Sequence, residues 1–458
     1  MATINGTSGA DTIKGLASDD LILALDGDDT IDISGKNGSD TVWAGNGNDT
    51  VNAFGNKNDL LIGLGDGNDV FLSDADAKGN NTIYAGAGND SIQVAGKGNN
   101  TIYAGTGNDT VNLTGAGDNT VGLGDGDDSL IGGSDGNNTV FAGVGNDTVV
   151  LGKGNNTVYA GEGNDHVTVG AGNNTIYMAA GNDTVVAGGG DNTIGLGDGD
   201  DKVTVTAGKN SVNTIYGGDG EDNITITGTA GGKSSATVYG GAKDDVISVT
   251  NSDGNDVIGG GAGDDNITLS GKGSDVVYGG AGDDTITVTQ TVVTGKDDGG
   301  ETQIFGGAGD DKITISTTAA VTKEATDTFK FVVYGGDGDD TILARGDKFG
   351  ATIDGGAGDD YIEGTVGQKL TGGAGSDTFK FDAADFTGGT TTITDFTKDD
   401  LIMGVTKGAV APAVDFDFAT NVKALTDNSV SVDLNADGKI DLILDNVKLA
   451  DLSESNFS

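Results

Sequence analysis

The sequence predicts an all-β fold, a right-handed parallel β-solenoid (a β-roll or β-helix) with a small β-rich cap at its C-terminal end. Two observations carry this prediction. Glycine-rich loops that end in aspartate or asparagine recur about every nine residues through most of the chain. Between the loops, apolar residues alternate, as in Val111 and Leu113, and this alternation places one set of side chains inside and the other outside. A repeat of this length indicates one small unit stacked many times.

The composition excludes a conventional globular core. Of 458 residues, 85 are glycine, while 35% are hydrophobic and 5% aromatic, which is too little apolar bulk for ordinary domains of this total size. The formal net charge of −47 would normally favour disorder. A glycine turn that ends in a carboxylate suits a hard cation, and roughly twenty such loops with one Ca²⁺ each would neutralise about forty charges. We therefore expect a metal-free chain that is largely unfolded and a folded state that requires metal.

Several classes of function and location are disfavoured. The acidic balance argues against nucleic acid as a partner, and the absence of cysteine excludes disulfides and thiol chemistry. The segment Met1–Gly6 has neither a basic stretch nor an apolar run, so we predict no N-terminal signal peptide. No stretch approaches the ~20 apolar residues of a transmembrane helix. His166 is the only histidine, we find no catalytic constellation, and we expect no enzyme activity.

Loop composition divides the chain into four predicted regions. Residues 1–78 are repeats with aspartate on both loop edges. Residues 79–205 form a regular roll with one aspartate edge and one asparagine edge. Residues 206–377 are irregular repeats with insertions, and residues 378–458 form the cap and a secretion-signal region, because a solenoid end requires a cover for its strand edges.

The repeats resemble a known family. Gly260-Gly261-Ala262-Gly263-Asp264-Asp265 and Gly279-Gly280-Ala281-Gly282-Asp283-Asp284 match the nonapeptide G-G-x-G-x-D-x-U-x of the repeats-in-toxin (RTX, haemolysin-type calcium-binding) proteins, in which U is a large apolar residue. The resemblance covers roughly residues 5–377. It implies a parallel β-roll in which the sixth-position aspartate and loop carbonyls bind multiple Ca²⁺ ions between successive coils.

Carried onto this chain, the resemblance gives a set of candidate calcium ligands. Asp183 and Asp245 are less certain, because Ala179 stands in the place of a loop glycine before Asp183 and Lys243 replaces one before Asp245. The predicted metal ligands are Asp20, Asp29, Asp40, Asp49, Asp59, Asp69, Asp90, Asp109, Asp128, Asp147, Asp165, Asp201, Asp222, Asp265, Asp284, Asp311, Asp340, Asp360 and Asp377.

The asparagine edge has two interpretations. Amide oxygens could form a weaker calcium row, or the side chains could form a ladder hydrogen-bonded along the stack. We favour the ladder, because Ca²⁺ selects carboxylates and stacked asparagines form such ladders.

The C-terminal segment also resembles the family. Ile393-Thr394-Asp395-Phe396 resembles the segment that follows the repeats in that family. Residues 433–441 and the ending Leu452–Ser458 are similar to its uncleaved secretion tail, which implies export from a Gram-negative cell by a one-step (type I) exporter. Asp433, Asn435 and Asp437 have the spacing of an EF-hand-like loop, but Leu444 stands where a bidentate glutamate belongs. A calcium turn and a polar hairpin are equal alternatives there.

An outward aromatic row is the last feature of the repeat. Tyr84, Tyr103, Phe141, Tyr159 and Tyr177 follow an inward residue once per coil. Such a row could bind sugars or a partner subunit, but we favour plain stacking that stiffens the solenoid.

These features predict a secreted, extracellular or cell-surface calcium-binding structural protein. We expect it to fold outside the cell and to self-assemble, as a homo-oligomer or polymer, into a surface layer, sheath or matrix fibre. The alternative is a monomeric adhesin-like rod that binds polysaccharide at a cell surface. A polysaccharide-modifying enzyme ranks third.

Overall fold

The chain is an all-β parallel β-solenoid of about 19 turns with almost no helix, which confirms the predicted fold class. It forms two compact units, Met1–Asn223 and Ile224–Ser458, each described here by itself. The computed structural model describes residues 2–35, 38–133, 135–291, 300–318, 330–345, 349–382, 386, 389–404 and 416–458.

The first unit has two walls of parallel strands, and the chain alternates between them. The first wall contains β1 (Ala2–Asn5), β3 (Asp20–Asp26), β5 (Thr41–Asn46), β7 (Leu61–Asp66), β9 (Thr82–Ala87), β11 (Thr101–Thr106), β13 (Thr120–Asp125), β15 (Thr139–Val144), β17 (Thr157–Glu162), β19 (Thr175–Ala180), β21 (Thr193–Asp198) and β23 (Val212–Asp219). The second wall contains β2 (Thr12–Lys14), β4 (Thr30–Asp32), β6 (Thr50–Asn52), β8 (Val70–Leu72), β10 (Ser91–Val94), β12 (Thr110–Leu113), β14 (Ser129–Ile131), β16 (Thr148–Leu151), β18 (His166–Val169), β20 (Thr184–Ala187) and β22 (Lys202–Thr206).

The second unit repeats this plan with longer strands. One wall contains β25 (Ser235–Ala242), β27 (Val257–Ala262), β29 (Val276–Ala281), β31 (Glu301–Ala308), β33 (Lys330–Asp337), β35 (Gly350–Ala357), β37 (Lys369–Ala374) and β39 (Thr391–Ile393). The other contains β24 (Asn223–Thr227), β26 (Val246–Ser252), β28 (Asn266–Gly271), β30 (Thr285–Gln290), β32 (Lys312–Thr317), β34 (Thr341–Arg345), β36 (Tyr361–Glu363), β38 (Thr378–Lys380) and β40 (Leu401–Met403).

The register sets equivalent residues of successive coils on top of one another. Ile102 of β11 pairs with Val121 of β13, and Val111 of β12 pairs with Leu130 of β14. All four side chains are fully buried, because alternate residues of a strand point to the same face. The core is therefore a thin apolar ladder between the walls, and the loops at its two edges hold the polar chemistry.

A cap follows the last coils of the second unit, as predicted. It contains the short helix α1 (Phe418–Asn421), the strands β41 (Val422–Thr426), β42 (Ser429–Val432) and β43 (Leu442–Asp445), and 3₁₀ turns at Leu449–Asp451 and Glu454–Asn456. β43 pairs in parallel with β39 and antiparallel with β42, so the parallel stack ends in a hairpin. Phe379 and Phe396 pack together beneath it, with ring centroids 6.0 Å apart.

None of the helices in the described part of the chain has both the length and the apolar character needed to cross a membrane.

Candidate calcium sites

One aspartate per coil lies at the loop that leaves the first wall, and we call this set the inner aspartate row. All members are almost completely buried except Asp11, which is half-buried. In the first unit the row contains Asp11, Asp29, Asp49, Asp69, Asp90, Asp109, Asp128, Asp147, Asp165, Asp183, Asp201 and Asp222; in the second it contains Asp245, Asp265, Asp284, Asp311, Asp340, Asp360, Asp377 and Asp400.

One oxygen of each carboxylate is used to hold neighbouring coils together. The backbone N–H of Asp109 donates to Oδ1 of Asp128 at 2.7 Å, and the N–H of Asp265 donates to Oδ1 of Asp284 at 2.8 Å. The same bond repeats along both units at 2.7–3.1 Å. These bonds fix the aspartates in an evenly spaced column.

The other carboxylate oxygen, Oδ2, is buried and accepts no hydrogen bond. This holds, among the residues that the structure describes, for Asp29, Asp49, Asp69, Asp90, Asp109, Asp128, Asp147, Asp165, Asp183, Asp201, Asp265, Asp284, Asp311, Asp340 and Asp360. A buried polar atom without a partner is destabilising by about 1–3 kcal/mol, and more if it is charged. A whole column of such atoms therefore indicates a missing positive group.

Backbone carbonyls lie beside these oxygens in the second unit. A β-carbon added at Gly260 would collide with Asp265 Oδ2 and come within 2.7 Å of the Gly279 carbonyl of the next coil. The same pairing of a carboxylate oxygen with the next coil's carbonyl recurs at Gly279, Gly306 and Gly335. Glycine thus leaves a cradle in which oxygen acceptors converge.

The electrostatics of the row agree with this geometry. Burial, reinforced by neighbouring carboxylates, raises the pKa of Asp90 and Asp147 from 3.8 to about 7, although a backbone N–H partly offsets the shift. Burial likewise raises the pKa of Asp265 and Asp360 to about 6. Each site therefore favours a bound cation or a proton over a bare carboxylate.

No set of three or more acidic or histidine side chains in the described residues could hold a metal ion by itself. Each calcium site would therefore combine aspartate carboxylates with glycine carbonyls, which are oxygen ligands of the kind Ca²⁺ prefers. The residues of the inner row and its glycine cradles fit that ion.

The asparagine edge has a different arrangement, and it is the predicted ladder. Nδ2 of Asn119 donates to the Gly117 carbonyl at 2.8 Å and to Oδ1 of Asn138 at 3.0 Å. Its own Oδ1 accepts from the N–H and from Nδ2 of Asn100, both at 2.9 Å. The ladder runs through Asn81, Asn100, Asn119, Asn138, Asn156, Asn174, Asn192 and Asn213. Since each amide supplies its own donor, this edge has no need of a cation.

Sixteen of the nineteen predicted ligands lie in the inner row, and three do not. Asp20 and Asp40 are buried on the opposite edge, where the N–H of Asp20 donates to Oδ1 of Asp40 at 2.9 Å. Asp59 is exposed and accepts from the N–H of Asn80 at 2.7 Å. Leu60 takes the buried position beside it, so Asp59 faces outward on this edge, and its predicted role as a metal ligand stays a prediction.

Sequence reasoning also set aside or missed several carboxylates. Asp183 and Asp245 occupy the row in spite of the irregular loops before them. Asp256 and Asp275 are buried on the opposite edge of the second unit, and each ends a Gly-x-Asp sequence. That short signal, halfway between the longer loops, could have identified them.

The loop at Asp433, Asn435 and Asp437 connects β42 and β43 and contains its own hydrogen bonds. Asp433 Oδ2 accepts from the N–H of Gly438 at 2.8 Å, and Asn435 Oδ1 accepts from the N–H of Asp437 at 3.0 Å. The Lys439 ammonium lies 2.8 Å from Asp437, and this hydrogen bond lowers the pKa of Asp437. A lysine thus supplies the positive charge at this turn.

The predicted aromatic row lies on the outer face of the first wall. Its five members expose 41–48% of their surface. Tyr84 and Tyr103 stack with centroids 5.1 Å apart, and Phe141, Tyr159 and Tyr177 form a stack with spacings of 5.0 and 5.5 Å.

Comparison with known families gives one result. The model described as the RTX calcium-binding nonapeptide repeat (four copies) matches residues 3–31, 32–53, 65–93, 94–115, 124–158, 132–167, 141–176, 168–203, 179–212, 207–225, 269–288, 298–314, 332–348 and 352–368. No curated protein matches the chain.

Proposed function

This chain belongs to the RTX calcium-binding nonapeptide-repeat family, and from that premise we propose that it is a structural protein that folds outside the cell and self-assembles. Membership of the family suggests a secreted calcium-binding β-roll. The assembly we propose is a surface layer, sheath or extracellular matrix fibre.

The observation that carries the proposal is the column of buried, unpartnered Oδ2 atoms. Asp109 and Asp265 represent it in the two units. A bound Ca²⁺ would neutralise these carboxylates and supply the positive partner that they lack. The aspartates and loop carbonyls hold the ion, and because each site draws on successive coils, binding and folding are one process.

The calcium affinity that is typical of extracellular modules supports folding after export. Extracellular calcium modules bind with dissociation constants of about 10⁻⁴–10⁻³ M. A chain with such sites stays loose where free calcium is scarce and folds where it is plentiful. This order suits a chain that must pass through an exporter before it folds.

Self-assembly is supported by charge and by repetition. A net charge of −47 keeps copies of the metal-free chain apart. Calcium in the inner row removes much of that repulsion. The outer face of the first wall repeats threonine followed by an aromatic residue in several coils, as at Thr82 and Tyr84. Repeated faces favour contacts between unlike patches of two copies, and such heterologous contacts propagate into open polymers.

Electron microscopy of the purified full chain tests this proposal. We expect ordered sheets or fibres in millimolar Ca²⁺ and none after calcium is chelated. Dispersed particles at every calcium concentration would contradict self-assembly, while calcium-dependent folding could still be demonstrated by circular dichroism.

A second candidate is a monomeric adhesin-like rod that binds polysaccharide. The exposed rings of Tyr84, Tyr103 and Phe141 favour it, since exposed aromatic side chains are common at binding surfaces. Binding to a glycan array without polymerisation would support this alternative. We propose no catalytic role: His166, the only histidine, is exposed and contacts the Thr168 hydroxyl.

A further inference from the structure

In some coils of the first unit, glycine replaces the aromatic residue of the outward row. Each of these glycines pairs with residues of the row in the coils before and after it. Tyr103 of β11 pairs with Gly122 of β13, which pairs with Phe141 of β15. The same arrangement recurs where Gly195 of β21 lies between Tyr177 of β19 and Tyr216 of β23. Each glycine leaves a gap where the neighbouring coils carry a ring.

The gap has the dimensions of one missing ring. Within the row, rings of successive coils lie 5.0–5.5 Å apart and within 16° of parallel. Two strand spacings place the Tyr103 and Phe141 rings roughly 10 Å apart. A planar group inserted midway would thus lie about 5 Å from each ring centroid, inside the range of about 6 Å for a cation–π contact.

Two gaps are open. Gly122 and Gly195 are half-buried, and Thr120 and Thr193, two residues before them, are exposed. Phe141, which borders the first gap, is 48% exposed, whereas Tyr159 inside the stack is 41% exposed. We call these two gaps the ring slots.

A third interruption of the row in this unit is closed. A β-carbon at Gly63 would collide with the six-membered ring of Trp43, and Gly63 is buried. The larger indole therefore covers the position that is left open at Gly122 and Gly195.

The coils that contain the ring slots carry more carboxylates in their loops than the coils that precede them. Gly122–Asp128 and Gly195–Asp201 have the same sequence, Gly-Leu-Gly-Asp-Gly-Asp-Asp. In the first of them Asp125 and Asp127 are exposed, whereas the preceding coil has Thr106 and Asn108 at these positions. Two electron-rich ring faces, with two additional carboxylates in the loop that follows the same strand, favour a positively charged occupant.

The shape of the slot selects among cations. A guanidinium group is planar and stacks on aromatic faces, whereas a lysine ammonium is a compact, strongly hydrated point charge. A second copy of this chain could not fill both slots, because Arg345 is its only arginine. A single molecule that fills both slots is therefore not a second copy of this chain.

We propose that the ring slots over Gly122 and Gly195 bind arginine side chains of a basic partner polypeptide. The slots are four strand spacings apart, roughly 19 Å. In an extended partner segment this distance corresponds to two arginines about six residues apart. Binding at both slots together would raise the affinity through effective concentration. This site is independent of self-assembly and goes beyond the proposed function.

The preference of the ring slots for a planar cation is tested by measuring how three blocked amino acids bind to the calcium-loaded full chain. N-acetyl-arginine amide, its neutral planar counterpart N-acetyl-citrulline amide and the non-planar cation N-acetyl-lysine amide are titrated by ligand-observed NMR. We expect the arginine compound to bind about tenfold more tightly than either of the others. Equal binding of citrulline would overturn the proposal and show an apolar slot without charge selection. Equal binding of lysine would overturn it in favour of a general acidic surface.

The location is tested with variants that fill or open a slot. A β-carbon at Gly122 would lie 3.4 Å from the Tyr103 ring, and one at Gly195 would lie 3.5 Å from the Tyr177 ring. Both are ordinary contacts, so Gly122→Tyr and Gly195→Tyr should fold and complete the stack.

We expect the double variant to lose at least tenfold in affinity for a peptide with two arginines six residues apart, with an unchanged circular dichroism spectrum. The matched control is Tyr159→Gly, which opens a new slot between Phe141 and Tyr177 and should add one arginine site. Undiminished peptide binding by the filled variant would place the site elsewhere and refute the proposal.

Discussion

A difference of one atom separates the two loop edges in the coils of the asparagine ladder. Asn119 places Nδ2 where it donates to the Gly117 carbonyl, while Asp109 has the acceptor Oδ2, which has no hydrogen-bond partner. Both side chains are buried, and both use Oδ1 to accept from the preceding coil. The asparagine edge is therefore complete without metal, and the aspartate edge requires a cation or a proton.

Exchanging the two residue types should have opposite effects on the metal-free protein. Asp109→Asn supplies the missing donor and should raise the free energy of unfolding by about 1–3 kcal/mol, whereas Asn119→Asp should lower it by a similar amount. Urea unfolding of the calcium-stripped proteins measures both. In the same experiments, Asp109→Asn should require more calcium for full stabilisation, since it removes a carboxylate ligand. If both substitutions changed the free energy of unfolding in the same direction and by the same amount, the missing donor would not explain the difference between the edges.

At the scale of the loops, glycine is required where coils approach most closely. Gly107 has φ +114°, and a β-carbon there would collide with the Gly88 carbonyl of the preceding coil. Seven described non-glycine residues also have positive φ, and three of them, Leu25, Ala179 and Lys243, lie in these loops at smaller angles of 76–89°. A loop that carries a side chain at such a position therefore has a different backbone conformation, with a smaller φ.

Gly107→Ala should lower the free energy of unfolding by more than about 1–2 kcal/mol. A residue with a β-carbon is strained by about that amount in the left-handed region, and the clash with the Gly88 carbonyl adds to this strain. The control is Gly9→Ala, since nothing lies within 4 Å of a β-carbon at Gly9 and its φ is not positive. Thermal unfolding in millimolar Ca²⁺ compares the two. A melting temperature for Gly107→Ala equal to that of Gly9→Ala would show that the close approach of the coils does not limit stability.

At the scale of the whole molecule, we expect stability to depend on both calcium and protons. The pKa values of Asp90, Asp147 and Asp340 are raised to about 7 by burial from an ordinary value of 3.8. Between pH values of about 4 and 7, the folded metal-free protein holds protons that the unfolded chain has released. These aspartates make their full contribution to the stability of the folded protein below about pH 4. The contribution is lost as the pH rises through the pKa values that they have in the folded state.

The calcium-stripped protein should therefore be more folded at about pH 5 than at about pH 7.5, while the calcium-loaded protein should be more stable at the higher pH, where protons no longer compete for the carboxylates. Circular dichroism at both pH values, with and without calcium, measures this reversal. Identical β-structure in the stripped protein at both pH values would show that the inner row does not control folding.

The sequence by itself determined the solenoid and most of the inner row. A repeat with alternating apolar residues, such as Val111 and Leu113, can bury a core only by stacking. Its fixed spacing brings Asp109 and Asp128 into one column. Local pattern was sufficient here because each coil contacts only its neighbours.

Only the tertiary structure decided which carboxylate faces inward and which atoms lack partners. Asp59 and Leu60 differ by one residue in position, and a shift of one residue in a strand or loop reverses the face of a side chain. The slot over Gly122 likewise depends on the ring spacing between coils and on the openness of the gap, whereas the similar Gly63 is covered by Trp43. Contacts between coils fix these properties, and they involve residues about twenty positions apart in the chain.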